Sequence, residues 1–341
     1  MIPLNPDAPL PSRGAVTDAG KQLRDRGLEG IDEEALETIK QWRRAHSYPL
    51  YVVYQTLRNR ATKIDSEAVV SSRLKRLPSI QAKLKRGAVH KLGEMQDFAG
   101  CRAVMENLDQ VEKLRRAYDS TRTTYRLKRE YDYIARPKAD GYRGRHLVVQ
   151  FKPGSDYEGT MVEIQLRTQR MHQWSTAVEI VDTFKNSSLK GGAQVEGWSR
   201  FFLLTSALIA LEEGTPVPEG APKERRDVID ELKGCGADTF VEQLRSYARA
   251  VKPASGDQAG RYFVVMIDTL LGYTLIMGYK GFSAANEEYT RLERKLSHRP
   301  EANVVLVDVD TNSATALRRA YPNYFADTSA FTTFLTAQLG L

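Results

Sequence analysis

Val162-Glu163-Ile164-Gln165-Leu166-Arg167-Thr168 alternates between apolar and polar side chains. Strand side chains point to opposite faces with period two, so Glu163, Gln165 and Arg167 share one face and Val162, Ile164 and Leu166 the other. An acid, an amide and a guanidinium in line over an apolar back suit a polyanion site with a metal. Taken alone, the same pattern also describes a sheet with one solvated face. Upstream, Tyr131-Asp132-Tyr133-Ile134-Ala135-Arg136-Pro137-Lys138-Ala139-Asp140-Gly141-Tyr142-Arg143-Gly144-Arg145-His146 runs directly into a second strand pattern, Leu147, Val149 and Phe151.

Outward from these strands, Thr168 is a natural N-cap for a helix whose apolar residues Met171, Trp174, Val178 and Val181 recur at three and four. On the N-terminal side, residues 69–77 read as a strand carrying Arg73 and Lys75 on one face. Pro78-Ser79 opens a helix over 80–86 that carries Lys83, and a strand over 100–105 follows Asp97. Strands over 131–133, 146–151 and 161–167, with a helix over 108–116, complete an α+β pattern: a mixed sheet flanked by helices. Residues 1–30 are punctuated by Pro and Gly and are expected to be poorly ordered at the start; helices follow over 31–44 and, past an interruption at Pro49, over 50–60. Gly191-Gly192 marks a boundary. Beyond it come an apolar helix (198–211), a Pro/Gly-rich linker (214–223), a helical stretch (227–251), two apolar strands within 262–279, a charged helix (284–296), a strand (304–309) and a helical end past Tyr321-Pro322-Asn323-Tyr324-Phe325. The layout is an N-terminal helical segment (1–66), a central catalytic-type domain (67–190), a helical connector (191–255) and a small, separately packed α/β module (256–341).

The chain has 341 residues, more than one typical core, with 41% hydrophobic and 27% charged residues, the balance of a soluble globular protein. A net charge of +7 favours anionic partners. Cys101 and Cys235 are too few and too far apart for a disulfide framework or a cysteine-rich zinc site, so a reducing cytoplasm is expected. The first thirteen residues are Pro-rich and lack an apolar h-region, which predicts no secretory signal. Asp268, Gly272 and Gly278 interrupt the apolar run from Tyr262 to Tyr279, which predicts strands and no membrane span.

Lys138-x-x-Gly141-Tyr142-Arg143-x-x-His146 followed by Glu163-x-Gln165-x-Arg167-Thr168 resembles the synthetase domain of the RelA/SpoT alarmone synthetases. So do Arg73-Leu74-Lys75-Arg76-Leu77-Pro78-Ser79-Ile80 with Lys83, and Asp97-Phe98-Ala99-Gly100-Cys101-Arg102, in the family's order. Members transfer pyrophosphate from ATP to the 3′-hydroxyl of a guanine nucleotide on a nucleotidyltransferase-like domain. The resemblance implies that Asp97 and Glu163 hold Mg2+, with Gln165 beside them in the catalytic group. It implies that Arg73 and Arg102 sandwich the adenine of ATP while Lys75, Ser79 and Lys83 face its phosphates. It places Lys138, Gly141, Tyr142, His146, Arg167 and Glu179 at the acceptor, with Tyr142 an exposed ring stacked on guanine.

Two departures bear on the acceptor. The chain reads Trp174-Ser175-Thr176-Ala177-Val178-Glu179-Ile180 where small members usually place Ile-Glu-His after the tryptophan, and Gly144-Arg145 replaces a serine and an apolar residue. No adjacent His-Asp pair occurs, so no hydrolase domain is expected, and no P-loop is present. The leading expectation is a synthetase making (p)ppGpp from ATP and GDP or GTP. The alternatives are a toxin-type relative, of the toxin–antitoxin kind, that pyrophosphorylates the 3′ CCA end of tRNA or an adenine nucleotide, and a non-catalytic nucleotide-sensing module. A homo-oligomer, and a regulatory ligand or protein at the C-terminal module, are compatible with each; a membrane partner is not expected.

Overall fold

The computed structural model describes residues 10–119, 123–185, 197–250, 252–253, 260–268, 273–296, 299, 302–308, 317–319 and 321–341. A five-stranded mixed sheet is the centre of the α+β fold, in the order β1 (Val69–Leu74), β2 (Ala99–Met105), β5 (Met161–Thr168), β4 (Arg145–Phe151), β3 (Tyr125–Asp132). Only β2 and β5 are parallel; every other neighbouring pair is antiparallel. The back face of the sheet is apolar as the alternation requires. Val162, Ile164 and Leu166 of β5 join Cys101, Ala103, Leu147 and Val149 in one core with Val53, Leu57 and Ala61 of α3 (Ser47–Ile64) and Val111 and Leu114 of α5 (Leu108–Arg116). Each Val, Leu or Ile among them, fully buried, contributes about 1.5–3 kcal/mol.

The start of the chain, residues 1–9, lies outside the described residues, and a helix that the sequence reading did not name follows it. Residues 13–30 form α1 (Arg13–Gly30), capped by Ser12, whose side chain accepts from Ala15 N at 3.2 Å, and packed through Val16 and Leu23 on Ile80 and Leu84 of α4 (Leu77–Lys85). Pro49 does not interrupt a helix. It sits in the first turn of α3, directly after α2 (Glu33–Ala45), where its missing N–H costs nothing.

The connector holds α7 (Trp198–Glu212), α8 (Arg225–Gly234) and α9 (Ala237–Ala250). The helical stretch expected over 227–251 is divided at Gly236, whose φ of 79° glycine adopts far more readily than residues with a Cβ. The Gly191-Gly192 boundary lies outside the described residues.

In the C-terminal third, β6 (Lys252–Pro253), β7 (Tyr262–Asp268), β8 (Tyr273–Tyr279) and β9 (Ala302–Asp308) form a second sheet, ordered β6-β8-β7-β9, with α10 (Phe282–Lys295) on one face. Tyr262, Val264 and Met266 of β7 pack on Ala285, Tyr289 and Leu292 of α10. Phe263, Val265 and Ile267 point the other way, into a core shared with Ile180 of α6 (Gln169–Lys185), Tyr321 and Tyr324. Burial on both faces explains the unbroken apolar run. Separate packing of residues 256–341 is not what the structure shows. That second face lies on α6, and the last helix, α11 (Ser329–Leu339), inserts Phe331, Phe334 and Leu335 among Trp174, Val178, Trp198, Val241 and Leu244. Among the described residues no helix is long and apolar enough to cross a membrane.

Candidate active site

The front face of the central sheet collects the residues that the motifs single out. In register, Gly100 of β2 lies between Arg73 of β1 and Glu163 of β5, and Arg102 lies between Ser71 and Gln165. Gln165 in turn faces His146 of β4. Gly100 puts no side chain between the guanidinium-bearing and carboxylate-bearing strands, and so leaves a floor. Above that floor is an open cleft lined by Arg73, Lys75, Asp97, Arg102, Glu163 and Gln165 and, from the far end of the chain, by Tyr321 and Asn323.

On the donor side, Lys75 Nζ and Lys83 Nζ each lie 2.8 Å from a different oxygen of Asp97. Burial alone would raise this carboxyl, but the two lysines outweigh it and hold the group down to about 2, from an ordinary 3.8. A depressed carboxyl stabilises the fold above its unfolded value, and that stability disappears as pH falls through the folded value. The shift corresponds to about 2 kcal/mol. Wild-type protein is therefore expected to lose stability between about pH 4 and 2 more steeply than Asp97→Asn, measured by chemical denaturation; parallel curves would show that the ion pair contributes nothing. Arg102 is pulled down to about 10, first by burial and then by Arg167. Arg73 is raised: burial opposes this, and Glu179, Tyr324, Tyr321 and Asp97 outweigh it. Glu179, assigned to the acceptor from sequence, thus acts on the two arginines assigned to the donor. Ser79 sits in the first turn of α4.

The acceptor residues form a closed ring of hydrogen bonds. Tyr142 Oη lies 2.6 Å from His146 Nε2, and His146 Nδ1 lies 3.0 Å from Glu163 Oε1. Gln165 Nε2 donates to Glu163 Oε2 at 2.7 Å, while Arg167 Nη2 donates to Gln165 Oε1 at 3.2 Å and to Tyr142 Oη at 2.9 Å. Burial would lift the Tyr142 phenol, but Arg167 and His146 pull it below its ordinary value. Burial would lower His146, but Tyr142 and Glu163 raise it. Glu163 is itself lowered, because His146 and Gln165 outweigh burial. The ring thus draws proton density toward His146 and away from Tyr142 and Glu163.

Tyr142 is not the exposed platform the sequence suggested; it is 7% exposed. Its ring meets Tyr133 and Trp174 edge-on, and the exposed Lys138 holds its ammonium 4.4 Å from the Tyr133 centroid and 5.1 Å from that of Tyr142. The burial has a local cause in Gly141. At φ 87° it approaches α7 so closely that an added Cβ would lie 3.1 Å from Ser206 Cβ and 3.3 Å from the Trp174 ring, and Ser206 Oγ donates to Gly141 O at 2.6 Å.

Residues outside the motifs hold this arrangement. Glu213, just past α7, accepts from Arg143 Nη1 at 3.1 Å and from Thr168 Oγ1, and so ties the two acceptor segments together. No pattern near Glu213 marks it in the sequence. Arg145, which adds a charge to the loop, is engaged by Glu112 and Asp132.

For a divalent cation the donor set is two carboxylates, Asp97 and Glu163, lining one cleft and both held ionised. That fits magnesium, which takes one or two carboxylates and completes its shell with substrate phosphates and water. Among the described residues no three His, Cys, Asp or Glu side chains converge into an all-protein metal site.

With this geometry in place, the comparisons with known proteins are specific. Residues 72–188 match the family described as the region found in RelA / SpoT proteins. The GTP pyrophosphokinase YjbM of Bacillus subtilis (strain 168) is 34% identical over 111 residues, covering 31% of this chain and 52% of that protein. The GTP pyrophosphokinase of Escherichia coli (strain K12) is 32% identical over 168 residues, 48% of this chain and 21% of that one. Among solved structures, small alarmone synthetase 1 from Bacillus subtilis bound to its product pppGpp is 26% identical with a TM-score of 0.44, covering 51% of this chain and 94% of that one. Residues 72–188 of this chain therefore carry the likeness to the RelA/SpoT region. The match spans about half the length of the first of these curated relatives and a fifth of the second.

Proposed function

We propose that the protein is a magnesium-dependent pyrophosphotransferase that moves pyrophosphate from ATP to the 3′-hydroxyl of GDP or GTP, yielding a (p)ppGpp-type alarmone. One observation carries the reading furthest. Arg167 is 3% exposed, and its Nε and Nη1 are buried without a hydrogen-bond partner among the described residues, beside Arg102 and a ring of ionised groups. Buried guanidinium donors left unmet are costly unless an anion meets them. The names of the curated relatives support the same chemistry.

Each residue then has a task. Arg73 and Arg102 bracket the donor base, since guanidinium planes stack on rings. Lys75, Lys83 and the first turn of α4 with Ser79 face the donor phosphates. Asp97 and Glu163 would hold the magnesium ion, which when bound neutralises phosphate charge. The Glu163–His146–Tyr142 ring offers a proton acceptor for the attacking hydroxyl, with Glu163 as its anionic end. Gln165 fixes the Glu163 rotamer, and Arg167, Lys138 and Gly141 present the acceptor. Glu179 orients the donor arginines.

Incubation with labelled ATP, magnesium and, in parallel, GDP, GTP, ADP or tRNA tests the assignment. Label on the guanine nucleotides supports it, label on the tRNA 3′ end or on ADP replaces the acceptor, and label on none removes the enzyme reading in favour of a nucleotide-sensing module. Arg145 does not argue for tRNA, because acids already engage it. Tyr142→Phe removes the oxygen that His146 and Arg167 share. It is expected to weaken acceptor binding about tenfold, the lower end of the range for a hydrogen bond to a charged group, while ATP affinity stays within about twofold. Equal loss for both ligands would make the tyrosine a scaffold residue.

The free thiols Cys101 and Cys235 fit a reducing cytoplasm. We also assign a regulatory role to the C-terminal third, because Tyr321 and Asn323 line the donor cleft.

A further inference from the structure

We infer that Glu293, on α10 of the C-terminal third, is a positioning residue for the donor site: it acts as the N-terminal cap of α4, the helix that carries Ser79 and Lys83. The inference rests on the donor-site reading above.

Helix α4 begins without a local cap. The N-cap residue is Arg76, whose side chain makes no capping bond, and Pro78 in the first turn has no N–H to offer. The Leu77 N–H is instead taken by Glu293 Oε1 at 2.7 Å, across 216 residues of sequence. The same oxygen accepts from Tyr289 Oη at 2.7 Å, while Glu293 Oε2 accepts from Arg43 Nη1 at 3.0 Å and Arg43 Nη2 donates to Tyr289 Oη at 3.0 Å. Arg43, Tyr289 and Glu293 are 7%, 1% and 5% exposed.

A carboxylate at a helix start meets both the open N–H groups and the positive end of the helix dipole. Here it joins three elements: α2 through Arg43, α4 through Leu77 and α10 through its own backbone. One and a half turns further along α4, Lys83 reaches Asp97. The placement of Lys83 against the donor phosphates therefore depends on a side chain that lies outside the residues matching the RelA/SpoT region.

A buried ion pair also stabilises the fold simply by not being broken, so the test must separate anchoring from positioning. In the paired variant Arg43→Met with Glu293→Met, both charges give way to apolar volume, a replacement that proteins commonly tolerate. Methionine at 293 cannot accept from Leu77. Calorimetric titration of ATP with magnesium is run on the intact chain and on the chain carrying Tyr321→Ala, each with and without the pair. We expect the paired variant to melt within a few degrees of its parent, yet to bind ATP at least fivefold more weakly, with Glu293→Gln, which keeps an acceptor for Leu77, in between. ATP affinity within twofold of the parent in a folded paired variant would overturn the inference and leave the donor-site reading standing. Absence of ATP binding in both parents would remove both.

Discussion

Glu163→Gln is expected to lower pyrophosphate transfer on the order of a hundredfold or more, the usual cost of removing one electrostatic element from an active site. The substitution preserves volume but removes the charge from a group that lines the cleft, pairs with His146 and is held ionised. Two losses combine. A magnesium ion bound in the cleft would lose one of its two proposed carboxylates, and His146 loses the partner that raises it, so the ring through Tyr142 and Arg167 no longer holds its protons in the same way. Asp97→Asn is expected to fall by a similar factor for a different reason, because Lys75 and Lys83 lose the anion that spaces them. The two variants should differ in how they respond to magnesium. Raising the metal concentration should recover part of the Asp97→Asn loss, where His146, Glu163 and Gln165 remain in place, and little of the Glu163→Gln loss. Initial rates against a magnesium series, with far-UV circular dichroism as the fold check, give the answer. A rate within about threefold of wild type in either variant, far short of the expected electrostatic loss, excludes that residue from the chemistry.

Much of this site was legible because strands have a fixed period. The alternation at 162–168 placed Glu163, Gln165 and Arg167 on one face, and the register with β2 and β4 adds Arg102 and His146 to that face. Periodicity gives a face but not its cover. Whether Tyr142 is open or enclosed depends on Gly141 meeting Ser206 and Trp174, a contact between segments that no local pattern encodes. The same limit explains why Glu213 and Glu293 were missed: each is a single acid whose partners on other elements, Arg143 and Thr168 for Glu213 and Leu77 and Arg43 for Glu293, lie 45 or more residues away in sequence. The tail was misread for a related reason. An apolar run such as 262–268 reports burial on two faces but not what buries them, and one of its faces lies against α6 of the central segment. Tyr321, Tyr324 and Phe325 do pack on the β7–β9 core of their own module, with Phe263, Val265 and Val305, but Tyr321 also donates to Ser72 O at 2.6 Å, on the strand residue next to Arg73, a contact that no local pattern encodes.

That contact gives the second large effect: Tyr321→Ala is expected to raise ATP affinity about tenfold or more, a gain of about 1.4 kcal/mol or more. Arg73 is assigned to stack on the donor base, and Tyr321 and Asn323 line the same cleft. The 3₁₀ turn Pro322–Phe325 keeps Tyr324 and Phe325 buried on Ile180 of α6, so the turn is braced against the site it faces. A ligand must displace what stands in its place, and removing the ring removes that cost. Tyr321→Phe is the control: it loses only the bond to Ser72 O and keeps the ring in the cleft, so its ATP affinity should stay within about threefold of wild type, the worth of an ordinary hydrogen bond. Deleting the chain from about residue 254 is a poorer probe. It also strips Phe331, Phe334 and Leu335 from the core around Trp198 and leaves the buried Arg43 without Glu293, a break that alone costs about 3–5 kcal/mol. Such a truncation should lose stability whatever the turn does. If Tyr321→Ala folds and its ATP affinity is unchanged or lower, the turn supports the donor cleft and does not restrain it. Regulation through the C-terminal third would then have to act through the Glu293 contact with α4.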